Sequence, residues 1–284
     1  MIIATDTASD ILESEAEKMN IRLAPFDISF GDEHCGRNTP EDLARFYKLL
    51  TTCDEFPKTS QPTPESWLEI FQEAKDKGED VLAIALTSTL SGSLESARLA
   101  AQLCDYDRIS VIDSKQAIIS QRILVEYACR LRDEGMGLTE LTDAVKRFSK
   151  RIQICGILDT LTYLQKGGRI PAPLAKMGNL LSIKPIVAVE DGVLTAPAMA
   201  RGTKAAKRAI WKRLTSAPLD PSWPLYFVYA DQRDLAESFR DETLEKYGSE
   251  LRISVENTRI CQISGTIGAH LGPGCFGFAY VQAE

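Results

Sequence analysis

Hydroxyl side chains gather at three places in this sequence where a ligand could be held: Thr5-Asp6-Thr7-Ala8-Ser9-Asp10, Thr87-Ser88-Thr89-Leu90-Ser91-Gly92-Ser93 and Asp113-Ser114. Each follows a short aliphatic run. A fourth pair, Thr59-Ser60, stands before Gln61-Pro62. Taken one at a time, such residues are as readily helix caps as ligand contacts. As a group they supply many neutral donors without an obligatory cation, which suits a carboxylate or phosphate held by hydrogen bonds.

Other side chains narrow the chemistry. No G-x-x-x-x-G-K-[ST] pattern is present, and the one G-x-G-x-x-G match, Gly272-Pro273-Gly274-Cys275-Phe276-Gly277, runs into a strand-like segment where a dinucleotide fingerprint needs a helix. The two histidines are His34 and His270. His34, beside Glu33 and Gly36, reads as a solvated turn residue, whereas His270 sits in Ile267-Gly268-Ala269-His270-Leu271-Gly272-Pro273-Gly274, a glycine-rich turn whose backbone allows close approach to a ligand. Between Leu164 and Arg213 there are ten Lys/Arg against two acids, Glu190 and Asp191. That stretch is either a solvated face or a docking surface for an acidic or phosphate-carrying partner. It includes Lys166-Gly167-Gly168-Arg169-Ile170 and continues through Lys184 to Arg201-Gly202-Thr203-Lys204, with Lys207, Arg208 and Lys212 at helical spacing.

The elements that position these residues follow from pattern. Ile2–Ala4, Val81–Leu86 and Ile109–Ile112 read as buried strands alternating with helical segments, the signature of a parallel sheet covered by helices. Helices are predicted to start at Thr39-Pro40-Glu41-Asp42 and Thr63-Pro64-Glu65, each with a hydroxyl N-cap, proline at the first helical position and acid in the first turn. Ser114–Glu134 carries a helical apolar stripe ended by Gly135. Ligands of open parallel sheets bind beyond the carboxyl ends of the strands, so the hydroxyl-rich turns should share one edge. In the second half, strands are expected at Ile183–Val189, Val193–Met199, Leu225–Ala230, Leu251–Val255 and Phe276–Val281, with helices near 174–181, 203–214 and 234–247. Asp191-Gly192 marks a hairpin, hence antiparallel pairing. Two domains are expected, 1–155 with a parallel sheet and 156–284 with a mixed or antiparallel one.

Composition agrees with a soluble protein: 284 residues, 44% hydrophobic and 26% charged, with a net charge of -7 that repels nucleic acid and anionic membrane surface. The opening Met-Ile-Ile-Ala-Thr-Asp has no basic region, and no segment approaches 18 uninterrupted apolar residues. Seven scattered cysteines without a C-x-x-C pair fit free thiols in a reducing compartment and argue against a metal site. The expected location is the cytoplasm, with no stable membrane insertion.

In order along the chain, Thr5-Asp6-Thr7-Ala8-Ser9-Asp10, Thr59-Ser60-Gln61-Pro62, Ser88-Thr89-Leu90-Ser91-Gly92, Asp113-Ser114, Lys166-Gly167-Gly168-Arg169-Ile170, Ile183-Lys184-Pro185-Ile186, Asp191-Gly192 and Ile267–Gly274 resemble the DegV family from end to end. The resemblance implies a two-domain α/β protein with a ligand tunnel between the domains. It implies the fatty-acid-binding subunit of a bacterial fatty acid kinase, not catalytic alone and without a cofactor. A separate ATP-binding subunit would convert the bound carboxylate to an acyl phosphate for phospholipid synthesis. Carried over by motif, Thr59, Ser60, Ser91 with the Gly92 backbone, and His270 would hold the carboxylate, and Arg201 would face the kinase. The sequence departs from the commoner family pattern at Thr7-Ala8 and Ser93-Leu94. An acyl chain offers about 0.8 kcal/mol per buried CH₂, about 10 kcal/mol in all, so the tail would supply affinity and the hydroxyls orientation. Two other readings stand beside this one: an autonomous hydrolase using Ser91 or Ser93 with His270 as base, without the G-x-S-x-G elbow such enzymes carry, and a lipid-responsive regulatory protein.

Overall fold

Ile2–Asp6 and Val81–Ala85 are buried at every position, which a strand achieves only in a sheet covered on both faces. The computed structural model describes residues 1–174 and 183–284. Its strands are β1 (Ile2–Asp6), β2 (Ile21–Ala24), β3 (Asp27–Phe30), β4 (Glu33–Cys35), β5 (Lys58–Ser60), β6 (Val81–Ala85), β7 (Ile109–Asp113), β8 (Ile152–Ile157), β9 (Ile183–Glu190), β10 (Val193–Arg201), β11 (Leu225–Tyr229), β12 (Thr258–Gln262) and β13 (Phe276–Val281). The α-helices are α1 (Glu13–Met19), α2 (Pro40–Thr52), α3 (Pro64–Lys77), α4 (Ser93–Cys104), α5 (Ile119–Asp133), α6 (Leu138–Phe148), α7 (Thr162–Lys166), α8 (Thr203–Leu214), α9 (Arg233–Leu251) and α10 (Gly265–Leu271).

The fold class is α/β. The N-terminal sheet is parallel in the order β2-β1-β6-β7. The C-terminal sheet is mixed, β10-β9-β8-β13-β11-β12, antiparallel except between β11 and β12. A separate small antiparallel sheet has the order β4-β3-β5. Side-chain alternation sets the layers. Ile2 and Ala4 face Trp67, Phe71 and Ala97 of α3 and α4, while Ile3 joins a core with Ile123 and Leu124 of α5 and Val228 of β11. That central core is shared by both sheets. The far side of the C-terminal sheet buries Phe227, Phe276 and Phe278 against Trp211 of α8 and Phe239 of α9.

Several local signals act as the sequence predicts. Thr39 and Thr63 each cap a helix by accepting from the backbone N–H of Asp42 and Ser66, with proline next in line. Asp191 and Gly192 both take positive φ, 49° and 82°, which is the turn that closes the β9–β10 hairpin. Other segments differ. Leu251–Val255 is not a strand: α9 continues to Leu251 and ends on Arg252 in the left-handed conformation, and β12 begins only at Thr258, where it pairs in parallel with β11. A short apolar run at a helix end looks the same as a strand until a partner is chosen. The helix expected from Ser114 starts at Ile119. Thr162–Lys166, just before the glycine pair, is the short helix α7. The helix expected near 174–181 falls almost wholly outside the described residues.

His270 lies in helix α10, not in a turn. The glycines that suggest a turn are there for packing: a Cβ on Gly265 would stand 2.9 Å from Ile28 and 3.0 Å from Phe46, and one on Gly268 would stand 2.6 Å from the Tyr47 hydroxyl. Tyr47 of α2 also donates to Ile263 O at 2.8 Å, and Asp10 accepts from Ser264 N–H at 2.8 Å, so α10 is bound to the N-terminal part at its start.

At the carboxyl end of β1, Asp6 is fully buried. It accepts from Ser93 Oγ at 2.6 Å, from Leu86 N–H at 2.8 Å and from Gln121 Nε2 at 3.0 Å. Burial pushes its carboxyl above the ordinary range, against the pull of those bonds. Replacing Asp6 with alanine strands two buried donors, Leu86 N–H and Ser93 Oγ, each costing about 1–3 kcal/mol, while Gln121 Nε2 keeps Thr5 Oγ1 at 2.9 Å and Ile84 O at 3.3 Å. Urea denaturation of Asp6→Ala should show at least about 2 kcal/mol of lost stability and Ser93→Ala about 1–3 kcal/mol. Losses under about 1 kcal/mol in both would show that the carboxylate does not organise these loops.

Candidate functional site

The loops after β1, β6 and β7 leave the parallel sheet on the same side, and the Asp6 bonds to Leu86, Ser93 and Gln121 draw the second of them against the starts of α4 and α5. Opposite stands β5, held in register by β3 with Thr59 paired to Ile28 and Ser60 to Asp27. Helix α10 completes the wall. These elements enclose a cavity of about 320 Å³ whose lining comes from both halves of the chain.

The lining divides by chemistry. Thr59, Ser60, Gln61, Ser91, Arg169 and His270 give it polar groups. Leu86, Ile118, Leu164, Val189, Leu194 and Leu271 supply apolar wall. Ile118 holds this place with φ 59°, a conformation that costs a β-branched residue energy, and its N–H is fixed to Ala8 O at 3.0 Å. The β9–β10 hairpin brings Val189 and Leu194 to the cavity because Gly192 O at its tip accepts from Thr87 Oγ1 at 2.7 Å and from Thr89 Oγ1.

Thr59 Oγ1 and His270 Nε2 lie 2.9 Å apart. Burial, with the positive charge of Arg169 added, pushes the His270 pKa down to about 4, so the ring is neutral at neutral pH. Its Nδ1 has no hydrogen-bond partner among the described residues and abuts Gly167, where a Cβ would stand 2.1 Å away. Ser91 Oγ accepts from Ser93 N–H at 3.2 Å, at the start of α4. Arg169 is exposed and crosses between the halves, donating from Nε to Leu90 O at 3.1 Å and from Nη1 to Gly167 O at 2.8 Å. Among the described lining residues it is the one permanent cation. A shallower cavity of about 440 Å³ shares Leu90, Ser91, Arg169 and Leu194 with the first and also includes Gly92.

Four of the six residues singled out from sequence, Thr59, Ser60, Ser91 and His270, therefore line one cavity, and Gly92 stands directly behind Ser91. Arg201 does not line it: it is exposed at the end of β10, paired with Ile183. Ser93 faces away, spent on Asp6, and His270 Nε2 is engaged by Thr59, so neither serine is paired with the histidine as a hydrolase nucleophile requires. Sequence reasoning misses Gln61 and Arg169 as lining residues, although both belong to runs it quotes. Their signal is only proximity to Ser60 and to a glycine pair. The cationic stretch is partly neutralised, with Lys184 on Asp159, Lys207 on Glu242 and Arg213 on Glu190. His34 is exposed on β4, 3.0 Å from Asp27.

A model of the DegV family, whose description reads "Uncharacterised protein, DegV family", matches residues 1–283. A DegV domain-containing protein of Caldanaerobacter subterraneus is 32% identical over 283 residues, covering 99% of this chain and 98% of that protein. Among solved structures, a DegV family protein from Thermus thermophilus described for its fatty acid binding superposes with a TM-score of 0.85 at 27% identity, over 99% of both chains. A DegV lipid-binding protein from Thermotoga maritima does so with a TM-score of 0.83 at 26% identity, over 100% of this chain and 99% of its own. Among the described residues no helix is long and apolar enough to cross a membrane.

The His270 environment predicts a pH dependence. The folded protein keeps the ring neutral down to about pH 4, whereas the unfolded chain takes up a proton near pH 6.5, so stability falls as pH drops through that window and is fully present above it. Between pH 7 and pH 4.5, wild type should lose about 2–3 kcal/mol more than His270→Gln in urea denaturation. Parallel losses in the two proteins would show that the ring is not held neutral.

Proposed function

This chain belongs to the DegV family, and from that premise we propose that it binds a long-chain fatty acid and presents the carboxylate to a separate ATP-dependent kinase subunit. The observation that carries the reading is one cavity with hydroxyls and a neutral imidazole among its lining and an extended apolar wall. In it Thr59, Ser60, Ser91, the backbone at Gly92 and His270 hold the carboxylate. Arg169 supplies the opposing charge that a buried carboxylate needs. The apolar wall takes the acyl chain, at about 0.8 kcal/mol per CH₂ before the costs of binding.

The chain carries no G-x-x-x-x-G-K-[ST] loop, so the phosphoryl donor comes with the partner. In the transfer, a carboxylate oxygen attacks the γ-phosphorus of ATP, the bond to the bridging oxygen breaks, and acyl phosphate and ADP leave. Arg201 faces that partner. Lys204, Arg208 and Lys212 of α8 are exposed and, among the described residues, unpaired, and they extend the cationic approach. The seven unpaired cysteines fit a reducing compartment, and we place the protein in the cytoplasm.

Mass spectrometry of organic extract from purified protein should find a long-chain fatty acid near one per chain; repeated extracts holding only water-soluble metabolites would overturn the reading. Ser91→Ala with His270→Ala should weaken retention by about 1–3 kcal/mol for each lost charge-assisted bond. For the partner, a reconstituted kinase assay should show Arg201→Ala lowering the maximal rate. Charge reversal at Lys204 and Arg208 should slow association, an effect that fades with salt because exposed charges are screened beyond about 8 Å at physiological ionic strength. Unchanged rates in both variants would mean that the kinase docks elsewhere.

A further inference from the structure

Gly92 has an ordinary backbone conformation, φ -80° and ψ 9°, open to any residue, so its turn does not require glycine. What occupies the space beside it is a neighbour. A Cβ at Gly92 would stand 2.2 Å from Gln61 Oε1 and 2.8 Å from Gln61 Cδ and Nε2, which means that the Gln61 amide lies flat against the Gly92 Cα. The same amide donates from Nε2 to Ser96 Oγ at 2.9 Å, and Ser96 is buried on the first turn of α4.

Gln61 follows Ser60 directly, and Gly92 follows Ser91. The contact therefore joins the two hydroxyl-bearing segments of the cavity at the point where each meets it. We propose that Gln61 is a positioning residue: its amide, clamped between Gly92 and Ser96, sets the separation between the Thr59-Ser60 strand and the Ser91-Gly92 turn, and so the geometry in which a carboxylate is received. This rests on the fatty-acid reading of the cavity. Gln61 is exposed, and the core does not depend on it. One N–H of its amide is held by Ser96, which fixes the plane of the amide against Gly92. Gly92 is the socket for this amide, and its lack of a side chain serves Gln61 before it serves any ligand.

The test is a double-mutant cycle of Gln61→Ala and Gly92→Ala, read with palmitate and with its methyl ester, which keeps the tail and lacks the charged head group. Gln61→Ala should weaken palmitate binding about five- to tenfold, the loss of one positioning hydrogen bond, and leave the ester nearly unmoved. Gly92→Ala should displace the amide and reproduce that loss, and the double variant should be no weaker than either single one. Additive losses would overturn the proposal, because Gly92 would then serve the ligand or the turn independently of Gln61. Equal losses for acid and ester would overturn it too, since the effect would be general and not on the head group. Wild-type protein that bound neither palmitate nor ester would sink the fatty-acid reading itself, and this inference with it.

Discussion

A carboxyl group with no access to water can be kept in a protein only where donors replace its hydration, and Asp6 meets that condition at the carboxyl end of β1, behind the cavity. Its donors come from the loop after β6, from the start of α4 and from α5. The loss of any one of them would leave the buried carboxyl less well compensated. The strand end, the hydroxyl-rich turn and two helices are thereby locked as a unit, and the cavity opens where the chain turns away from that unit. Ser93 belongs to this lock, which is why a serine in a run of candidate nucleophiles is unavailable to a ligand.

The second constraint is close packing of α10. Residues with larger side chains at 265 and 268 would push the helix off Phe46 and Tyr47 and carry His270 away from Thr59. With glycine there, a seven-residue helix from the C-terminal half reaches the small sheet of the N-terminal half. The shared core between the two sheets does the same on a larger scale. A cavity built from both halves follows from this arrangement, with a hairpin wall fastened at its tip by two threonines.

On the proposed reading, the cavity divides the work as the physics of an amphiphile asks. Apolar burial grows with chain length and gives affinity without direction. Hydrogen bonds add little net energy, yet a polar end left without them is costly, so they decide which way the ligand lies. The histidine is held neutral by burial and by the charge of Arg169, and its Nε2 is already matched to the Thr59 hydroxyl.

Features that act within a few residues were legible in the sequence. The proline-led helix starts at Thr39 and Thr63, the Asp191-Gly192 hairpin and the fully apolar strands of the parallel sheet all follow from caps, φ preferences and burial on both faces, and the ordered motifs pointed to the family and to Thr59, Ser60, Ser91 and His270 as neighbours. Contacts between distant segments were not legible. Whether Leu251–Val255 became strand or helix end depended on which residues β11 accepted as partners, and whether the glycines near His270 made a turn or a packed helix depended on Phe46 and Tyr47. Arg201 reads as part of a motif but stands away from the cavity lining, and Gln61, which the sequence shows only as the residue after Ser60, lies with its amide against Gly92. Local pattern fixes what a residue can do, while only the folded chain sets which groups it meets, because those contacts are made by surfaces with no sequence relation to one another.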